Sequence, residues 1–529
     1  MPRPRSAVNL ARLPLRRPWG PGEKALAVLL ALAVVAGVAA LVTVPDWGGD
    51  EECPRGVSRV EGACMAVADG GFTHDPGLRG LLRGIAEENA EAARDTYRTA
   101  ALTMPYSSDE TSAMSPALIE HGLAGAAAAQ RSVNDRPGPK LRLLLADIGK
   151  DMKKWRPVLD TLERLPADQS LIATVGLPSS TSDSKAAIKS LAEREIPSIG
   201  PVITSSDMNA GRYFFKTSPS NAHFTAALGQ YLEREKDSET GFLVLDERAQ
   251  DTYSRDLERH ILQQFGKKYD LRRNSASFVG TRGDEAGTPN LFRIPVLNLC
   301  AAKADTVFYA GRDEDLPALV ERLADTSGCG YRKPLRLVKV GIGLPPELTG
   351  KDLTARMRKA GIRLVDAAAT DPAWRGEGAP RPDGYGAFDR HFATVTKGEK
   401  LGPKPLDDGY AAMYYDAVRT VGEASGLAYE DTPEESARPK SPERIRKDVH
   451  NKLLNLNPDR RGDAVGCNPC IEGASGTYGF NPRASSGLWP VCKGVHIVEY
   501  PAPKGRSRAG DPPYRTYGGS FSGVCPKGQ

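Results

Sequence analysis

Ser179, Ser180 and Thr181 are the residues of this chain best suited to binding a small anion. They follow an apolar run at residues 171–176 and precede a segment whose apolar residues recur at helical spacing. Hydroxyl groups and free backbone N–H groups at the start of a helix suit a carboxylate. The competing interpretation is that these residues only cap the helix, which is the commonest role of Ser and Thr at that position.

Two strands and their loops must position these hydroxyl groups. Residues 171–176 and 196–199 are predicted strands, and each ends at a polar loop, the second of which contains Thr204. In an open parallel sheet the carboxyl ends of the strands lie on one edge, where α/β domains bind ligands. Both polar loops are therefore expected at the ligand-binding edge of one sheet.

An uncharged stretch of 20 residues, 25–44, is long enough to cross a bilayer core as a helix. Basic residues precede it and acidic residues follow it. By the positive-inside rule this predicts a single-pass cell-membrane protein with a cytoplasmic N-terminus and an extracytoplasmic C-terminal domain. The alternative is a cleaved secretory signal, whose apolar part spans only about 7–15 residues. We expect an uncleaved anchor.

The eight cysteines predict disulfides rather than metal ligands, because an exported chain meets an oxidising compartment. Spacing favours the pairs Cys53–Cys64 and Cys300–Cys329. A redox dithiol in the segment 467–470 is the less favoured alternative, since no thioredoxin-like βαβ unit surrounds it. The cysteines that share the C-terminal region, with their pairing left open, are Cys467, Cys470, Cys492 and Cys525.

Charge and motifs argue against several classes of function. The net charge is +5 over 529 residues, and six basic residues lie in the first 24. The remainder is near neutral and carries no basic stripe of the kind that binds nucleic acid. The sequence has no nucleophile-elbow motif, no phosphate-binding Gly-x4-Gly-Lys loop and no paired-His zinc motif. We therefore predict no enzymatic activity, no metal and no cofactor.

Strand and helix patterns alternate along most of the chain, which predicts an α/β fold with two parallel-sheet lobes. Residues 45–74 are expected to be a loop-rich stalk, and residues 370–406 a surface excursion. The predicted organisation is a cytoplasmic tail (1–24), a transmembrane helix (25–44), a stalk with a Cys loop and a helix (45–97), a first lobe (98–217 plus 367–456), a second lobe (218–366 plus 457–500) and a C-terminal surface extension (501–529).

In the order of its segments the chain resembles the type I periplasmic-binding fold. Within that fold it resembles the substrate-binding proteins of branched-chain amino-acid ABC transporters, the Leu/Ile/Val-binding type. The resemblance covers roughly residues 98–500. Each matching segment is weak alone, but their order and spacing together favour the fold. The segments are 173–176, 196–201 with Thr204, 213–220, 246–253, 308–312, 409–416 and 473–476.

The resemblance implies two lobes, joined by three crossovers, that close on a ligand in the cleft between them. The first hinge crossover matches residues 217–220. The positions that match the family's ligand contacts are Ser179, Ser180 and Thr181 for the ligand carboxylate, Ile203 and Thr204 for the amine side, and Tyr253 for an aromatic residue from the other lobe.

One departure from the family concerns the acid that faces the ligand's ammonium group. The family places this acid after the strand that matches residues 335–340, but the loop here, 341–347, has no acid before Glu347. Either Glu347 or Asp246 substitutes for it, or the ligand has no amine, or binding has been lost.

The function that the resemblance implies is a membrane-anchored extracytoplasmic solute-binding protein. It would capture a small, polar, amino-acid-like ligand for an ABC permease and contact the membrane through its N-terminal helix. The alternative is a ligand-sensing ectodomain that acts through a separate membrane or signalling partner. A permease encoded beside this chain would favour import, and a kinase or regulator would favour sensing.

Overall fold

In the computed structural model of the chain, the residues described are 57–60, 63–69, 76–109, 112, 114–166, 169, 171–235, 238–280, 290–326, 329, 334–376, 379–431, 441–461, 464–467, 469–481, 487–502 and 515–517.

Strands and helices alternate through both halves of the described chain. The inner strands are runs of Val, Leu, Ile and Ala with few polar interruptions, which is typical of strands covered on both faces. The strands are β1 (Val57–Val60), β2 (Ala63–Ala68), β3 (Tyr97–Met104), β4 (Lys140–Asp147), β5 (Leu171–Gly176), β6 (Ser198–Gly200), β7 (Phe214–Lys216), β8 (Gly241–Asp246), β9 (Ser275–Phe278), β10 (Thr306–Ala310), β11 (Leu335–Gly341), β12 (Ile362–Ala368), β13 (Pro458–Arg461), β14 (Ala464–Cys467), β15 (Ile471–Gly473), β16 (Gly476–Phe480), β17 (Pro490–Val491), β18 (His496–Tyr500) and β19 (Arg515–Tyr517). The helices are α1 (Arg79–Ala92), α2 (Pro116–Asn134), α3 (Trp155–Glu163), α4 (Ser182–Glu193), α5 (Asn221–Arg234), α6 (Thr252–Tyr269), α7 (Arg293–Ala301), α8 (Leu316–Asp325), α9 (Pro346–Thr349), α10 (Lys351–Ala360), α11 (Tyr385–Val395), α12 (Tyr410–Glu430) and α13 (Pro442–Leu454).

The first sheet has the strand order β1-β2-β4-β3-β5-β6-β7. The strands from β3 to β7 pair in parallel, and the hairpin of β1 and β2 extends the sheet on the antiparallel edge beside β4. Parallel neighbours need crossover connections, which α2, α3 and α4 supply. The loops that follow β3, β5 and β6 therefore lie together at the carboxyl edge of this sheet.

The second sheet has the order β19-β18-β12-β11-β10-β8-β9. The strands from β8 to β12 are parallel, and β18 and β19 join antiparallel at one side. The loops after β8, β10 and β11 meet at its carboxyl edge. The described chain is thus an α/β fold with two parallel-sheet lobes, as the sequence predicts.

The first lobe's core contains more of the C-terminal region than the sequence indicates. Helices α2 and α12 approach so closely that a Cβ atom at Gly125 would lie 2.0 Å from the Ala411 carbonyl oxygen, so only glycine fits there. Tyr478 and Phe480 of β16 are fully buried in the same hydrophobic cluster. The small sheet of β15, β16 and β17 therefore packs with the first lobe, whereas the sequence analysis assigned residues 457–500 to the second.

Within the described residues, three segments connect the lobes: 217–220, 369–371 and 492–495. The buried Lys493 ties the first segment to the third, because its Nζ donates to the Thr217 carbonyl oxygen at 2.5 Å. The same Nζ forms an ion pair with Asp416 of α12 at 3.1 Å. A buried ammonium group with two partners holds the crossovers together at the hinge.

The predicted membrane anchor, residues 25–44, lies outside the described residues. In the ranges that the structure does describe, no helix combines the length and the apolar character needed to cross a membrane. This finding contradicts the single-pass membrane localisation that the sequence predicts, and we correct that prediction.

Regular structure occurs in two segments that the sequence analysis expected to be irregular. The predicted stalk, 45–74, contains β1 and β2, and the predicted excursion, 370–406, contains α11, whose Phe388 is fully buried. Strand β12 has no counterpart among the predicted strands. The pairing and packing of these elements depend on contacts distant in sequence, so local patterns indicate them weakly.

The predicted Cys300–Cys329 disulfide is confirmed, with Cα atoms 5.2 Å apart. Among the described residues no cysteine is free, and Cys470 and Cys492 are each disulfide-bonded. The side chains of Cys53, Cys64, Cys467 and Cys525 lie outside the description. The Cys53–Cys64 pair and the pairing of the C-terminal cysteines therefore stay predictions.

Candidate functional site

A cavity of about 190 Å³ lies between the carboxyl edges of the two sheets. On the first lobe it is lined by the loops after β3, β5 and β6, and on the second by the loops after β8, β10 and β11. The start of α12 closes one side. Of the residues predicted to contact a ligand, the cavity brings together Ser179, Ser180, Thr204 and Tyr253.

In the loop after β5, Ser179 and Thr181 have different roles. Gly176 ends the strand with φ +133, and a Cβ atom there would lie 2.0 Å from the Thr103 carbonyl oxygen, so the chain turns where only glycine fits. Thr181 caps α4, since its hydroxyl accepts from the Ser184 N–H at 3.2 Å. Ser179 is only 3% exposed, and its Oγ has no partner among the described residues. The capping role therefore belongs to Thr181, which does not line the cavity, and the free hydroxyl belongs to Ser179.

The two lobes touch each other directly at Ser180. Its carbonyl oxygen accepts from the backbone N–H groups of Thr252 and Tyr253, at 3.1 and 3.2 Å, and from the Thr252 Oγ1 at 2.7 Å. These donors form the first turn of α6, whose N–H groups lack partners within the helix. The described structure is therefore closed across the cleft at this point.

Thr204 lies beside the first crossover. It is buried, and its carbonyl oxygen accepts from the N–H of Asn221, the first residue of α5, at 2.8 Å. The neighbouring Ser205 donates from its Oγ to the Thr252 carbonyl oxygen at 3.2 Å. The loop after β6 is thus fixed to the second lobe while Thr204 borders the cavity. Ile203, the other predicted amine-side position, is fully buried in the hydrophobic core of the first lobe.

Tyr253 contributes a ring and a hydroxyl from the second lobe. Its hydroxyl donates to the Val340 carbonyl oxygen at 2.8 Å. Arg312 lies over the ring, 5.7 Å from its centroid, and is held by two bonds to Asp251, at 2.9 and 3.0 Å. Burial raises the pKa of Tyr253 well above its usual range, so the hydroxyl stays protonated. The phenol is therefore a fixed wall of the cavity.

Acids reach the cavity from a loop that the sequence analysis did not consider. Asp313 and Glu314, which follow β10, both line it, as does Glu347. Asp246, the other predicted substitute, does not line it and instead forms an ion pair with the buried Arg248. The signal that could have found Asp313 and Glu314 is the one that selected Ser179, namely a polar loop directly after a buried strand.

Two of the cavity acids already have cationic partners. Asp313 lies 3.0 Å from the Nζ of Lys339, a buried residue of β11. Asp408 lies 2.5 Å from Nδ1 of His121 on α2, whose other ring nitrogen meets the Leu401 carbonyl oxygen at 2.8 Å. Burial lowers the pKa of His121, but the Asp408 carboxylate outweighs this and raises the pKa to about 9. His121 is therefore an imidazolium at neutral pH.

Glu314 has no such partner among the described residues. It is half-buried, and burial raises its pKa to about 7, against the opposing effect of Arg312. A cationic ligand group beside it would favour the ionised form. Across the described ranges we find no cluster of three or more His, Cys, Asp and Glu residues that could hold a metal ion.

Several solved structures that are similar to this chain are ABC transporter binding proteins. An amino acid ABC transporter substrate-binding protein from Pseudomonas fluorescens has a TM-score of 0.57 at 11% identity, over 81% of this chain and 98% of that one. The TM-score of 0.57 shows that the two chains share their overall fold.

The chain has the type I periplasmic-binding fold.

Two further structures with this fold contain ligands. The substrate-binding protein LivJ of the Streptococcus pneumoniae branched-chain amino acid transporter, solved with isoleucine, has a TM-score of 0.52 at 15% identity, over 76% of this chain and 96% of that one. A solute-binding protein from R. palustris, solved with 4-hydroxybenzoate, has a TM-score of 0.53 at 13% identity, over 81% and 99%. No protein-family model matches the sequence, and no curated protein does either.

Proposed function

We propose that this chain is the solute-binding protein of an ABC importer and captures a small, amino-acid-like ligand between its two lobes. The observation that carries the proposal is the hydroxyl of Ser179, a residue that is 3% exposed and borders the cavity, because this hydroxyl has no partner in the described part of the chain. A buried hydroxyl without a partner costs about 1–3 kcal/mol. A ligand carboxylate that accepts from it would recover that cost.

The other lining groups support a ligand with both a carboxylate and an amine. Ser179 and Thr204 come from the first lobe, and Tyr253 and Glu314 from the second. Closure discriminates between ligands only when both lobes touch the ligand. In this proposal Ser179 binds the carboxylate, Glu314 faces the ammonium group, and Tyr253 and Thr204 shape the cavity around them.

The test is thermal unfolding of the full chain with L-leucine, L-lysine, 4-hydroxybenzoate and D-glucose, each up to 10 mM. A ligand present at 100 times its Kd stabilises the folded state by about 2.7 kcal/mol, so a concentration-dependent rise in Tm is expected with an amino acid. D-glucose, which has neither a carboxylate nor an amine, is the control. A Tm that no amino acid raises would contradict the proposal.

A further inference from the structure

The charged groups around the cavity form three pairs that need no ligand. Arg312 is bound to Asp251, Asp313 to Lys339, and Asp408 to His121. Each pair places a cation within 3.0 Å of a carboxylate oxygen, and Lys339 also lies 3.1 Å from the buried Asp366. Arg312 is the one cationic side chain among the described residues that line the cavity. It is bound to Asp251, and its charge also opposes the rise in the pKa of Glu314.

Two lining carboxylates remain after these pairs are removed. Apart from a bond with its own backbone, Glu314 has no hydrogen-bond or ion-pair partner in the described part of the chain, and Glu347 has none either. They come from different loops of the second lobe, after β10 and after β11. Glu314 is half-buried, whereas Glu347 is exposed. The cavity therefore has an inner and an outer acid, neither of which forms an ion pair with a described residue.

The opposite lobe supplies a site for one anionic group. The Ser179 hydroxyl is buried on the first lobe, across the cleft from both acids, and has no partner in the ranges that the structure describes. A bound ligand would thus meet the Ser179 hydroxyl, which can donate to a ligand carboxylate, and the carboxylates of Glu314 and Glu347, which can each bind a ligand cation. An aliphatic amino acid would leave one of the acids unbalanced, and an aromatic carboxylate would leave both.

We propose that the preferred ligand is a basic amino acid, whose carboxylate meets Ser179, whose α-ammonium group meets Glu314, and whose side-chain cation meets Glu347. This rests on the proposed function and names its ligand class. The exposed position of Glu347 suits the end of a long side chain, because such side chains place their aliphatic part against apolar surface and keep the charge hydrated.

The test compares two ligands that differ at one group. L-Lysine and L-norleucine have side chains of similar length, and only L-lysine ends in an ammonium group. Isothermal titration calorimetry on the full chain at pH 7.5 should give a Kd for L-lysine about two- to fivefold lower than for L-norleucine, since an ion pair with an exposed carboxylate contributes about that factor. Glu347→Gln should remove most of the preference for L-lysine.

The matched control is Glu321→Gln, which removes an exposed carboxylate of α8 that does not line the cavity. It should leave the Kd for L-lysine unchanged, and all three proteins should unfold at the same temperature without ligand. Equal or tighter binding of L-norleucine would overturn the inference and leave the proposed function standing. Preference for L-lysine that survives Glu347→Gln would also overturn it. Binding of neither amino acid would refute both.

Discussion

Replacing Ser179 with alanine should weaken ligand binding without destabilising the protein. The Ser179 hydroxyl has no partner among the described residues, so its removal breaks no hydrogen bond that the structure describes. An unpaired buried polar group costs about 1–3 kcal/mol, so the free energy of unfolding should stay the same or rise by up to about 1 kcal/mol. Loss of a bond to a ligand carboxylate costs about 1.5–3 kcal/mol, which raises Kd by about 10- to 150-fold.

Thr181→Ala is the matched control, because Thr181 lies two residues away but caps α4. Loss of an N-cap costs about 0.5–2 kcal/mol of stability, and the Kd should change little since Thr181 does not line the cavity. Urea unfolding gives the stability of each protein, and titration calorimetry with L-lysine and L-leucine gives each Kd. If Ser179→Ala destabilises the fold and leaves both Kd values intact, the assignment of the two roles is refuted.

Three further predictions concern closure, the disulfide and pH. Thr252→Val removes the side-chain donor to the Ser180 carbonyl oxygen at 2.7 Å, so it should loosen the contact between the lobes and raise Kd by about 3- to 10-fold; an unchanged Kd in calorimetry would refute this. Replacing Cys300 and Cys329 with serine opens a loop with a sequence separation of 29 residues, which should lower the free energy of unfolding by about 3–4 kcal/mol in urea titrations; a loss below about 1 kcal/mol would show that the disulfide contributes little. The raised pKa of His121, about 9, means that its ion pair stabilises the fold below its ordinary pKa of about 6.5 and that this contribution is lost as pH rises through 9. His121→Asn should therefore destabilise the protein at pH 6 by on the order of 3 kcal/mol and much less at pH 10, and equal losses at both pH values would contradict the ion pair.

The alternation of strands and helices is determined locally. Largely apolar runs such as β5 and β10 are typical of strands in a parallel sheet, which is covered on both faces. The carboxyl ends of parallel strands lie at one edge of the sheet. That rule brings Ser179 and Thr204 to one edge of the first sheet before any coordinates are known. The pair Cys300–Cys329 is likewise a local prediction, since its members bracket one strand and one helix.

Tertiary structure alone decides what the polar groups at that edge do. Whether Ser179 or Thr181 caps α4 depends on a backbone turn at Gly176, and whether Asp246 is free depends on Arg248. Glu314 becomes a cavity acid only because the second lobe closes over the first. The charge balance within a cleft depends on all the loops that meet there. Because these loops come from distant parts of the chain, no local pattern of residues can predict it.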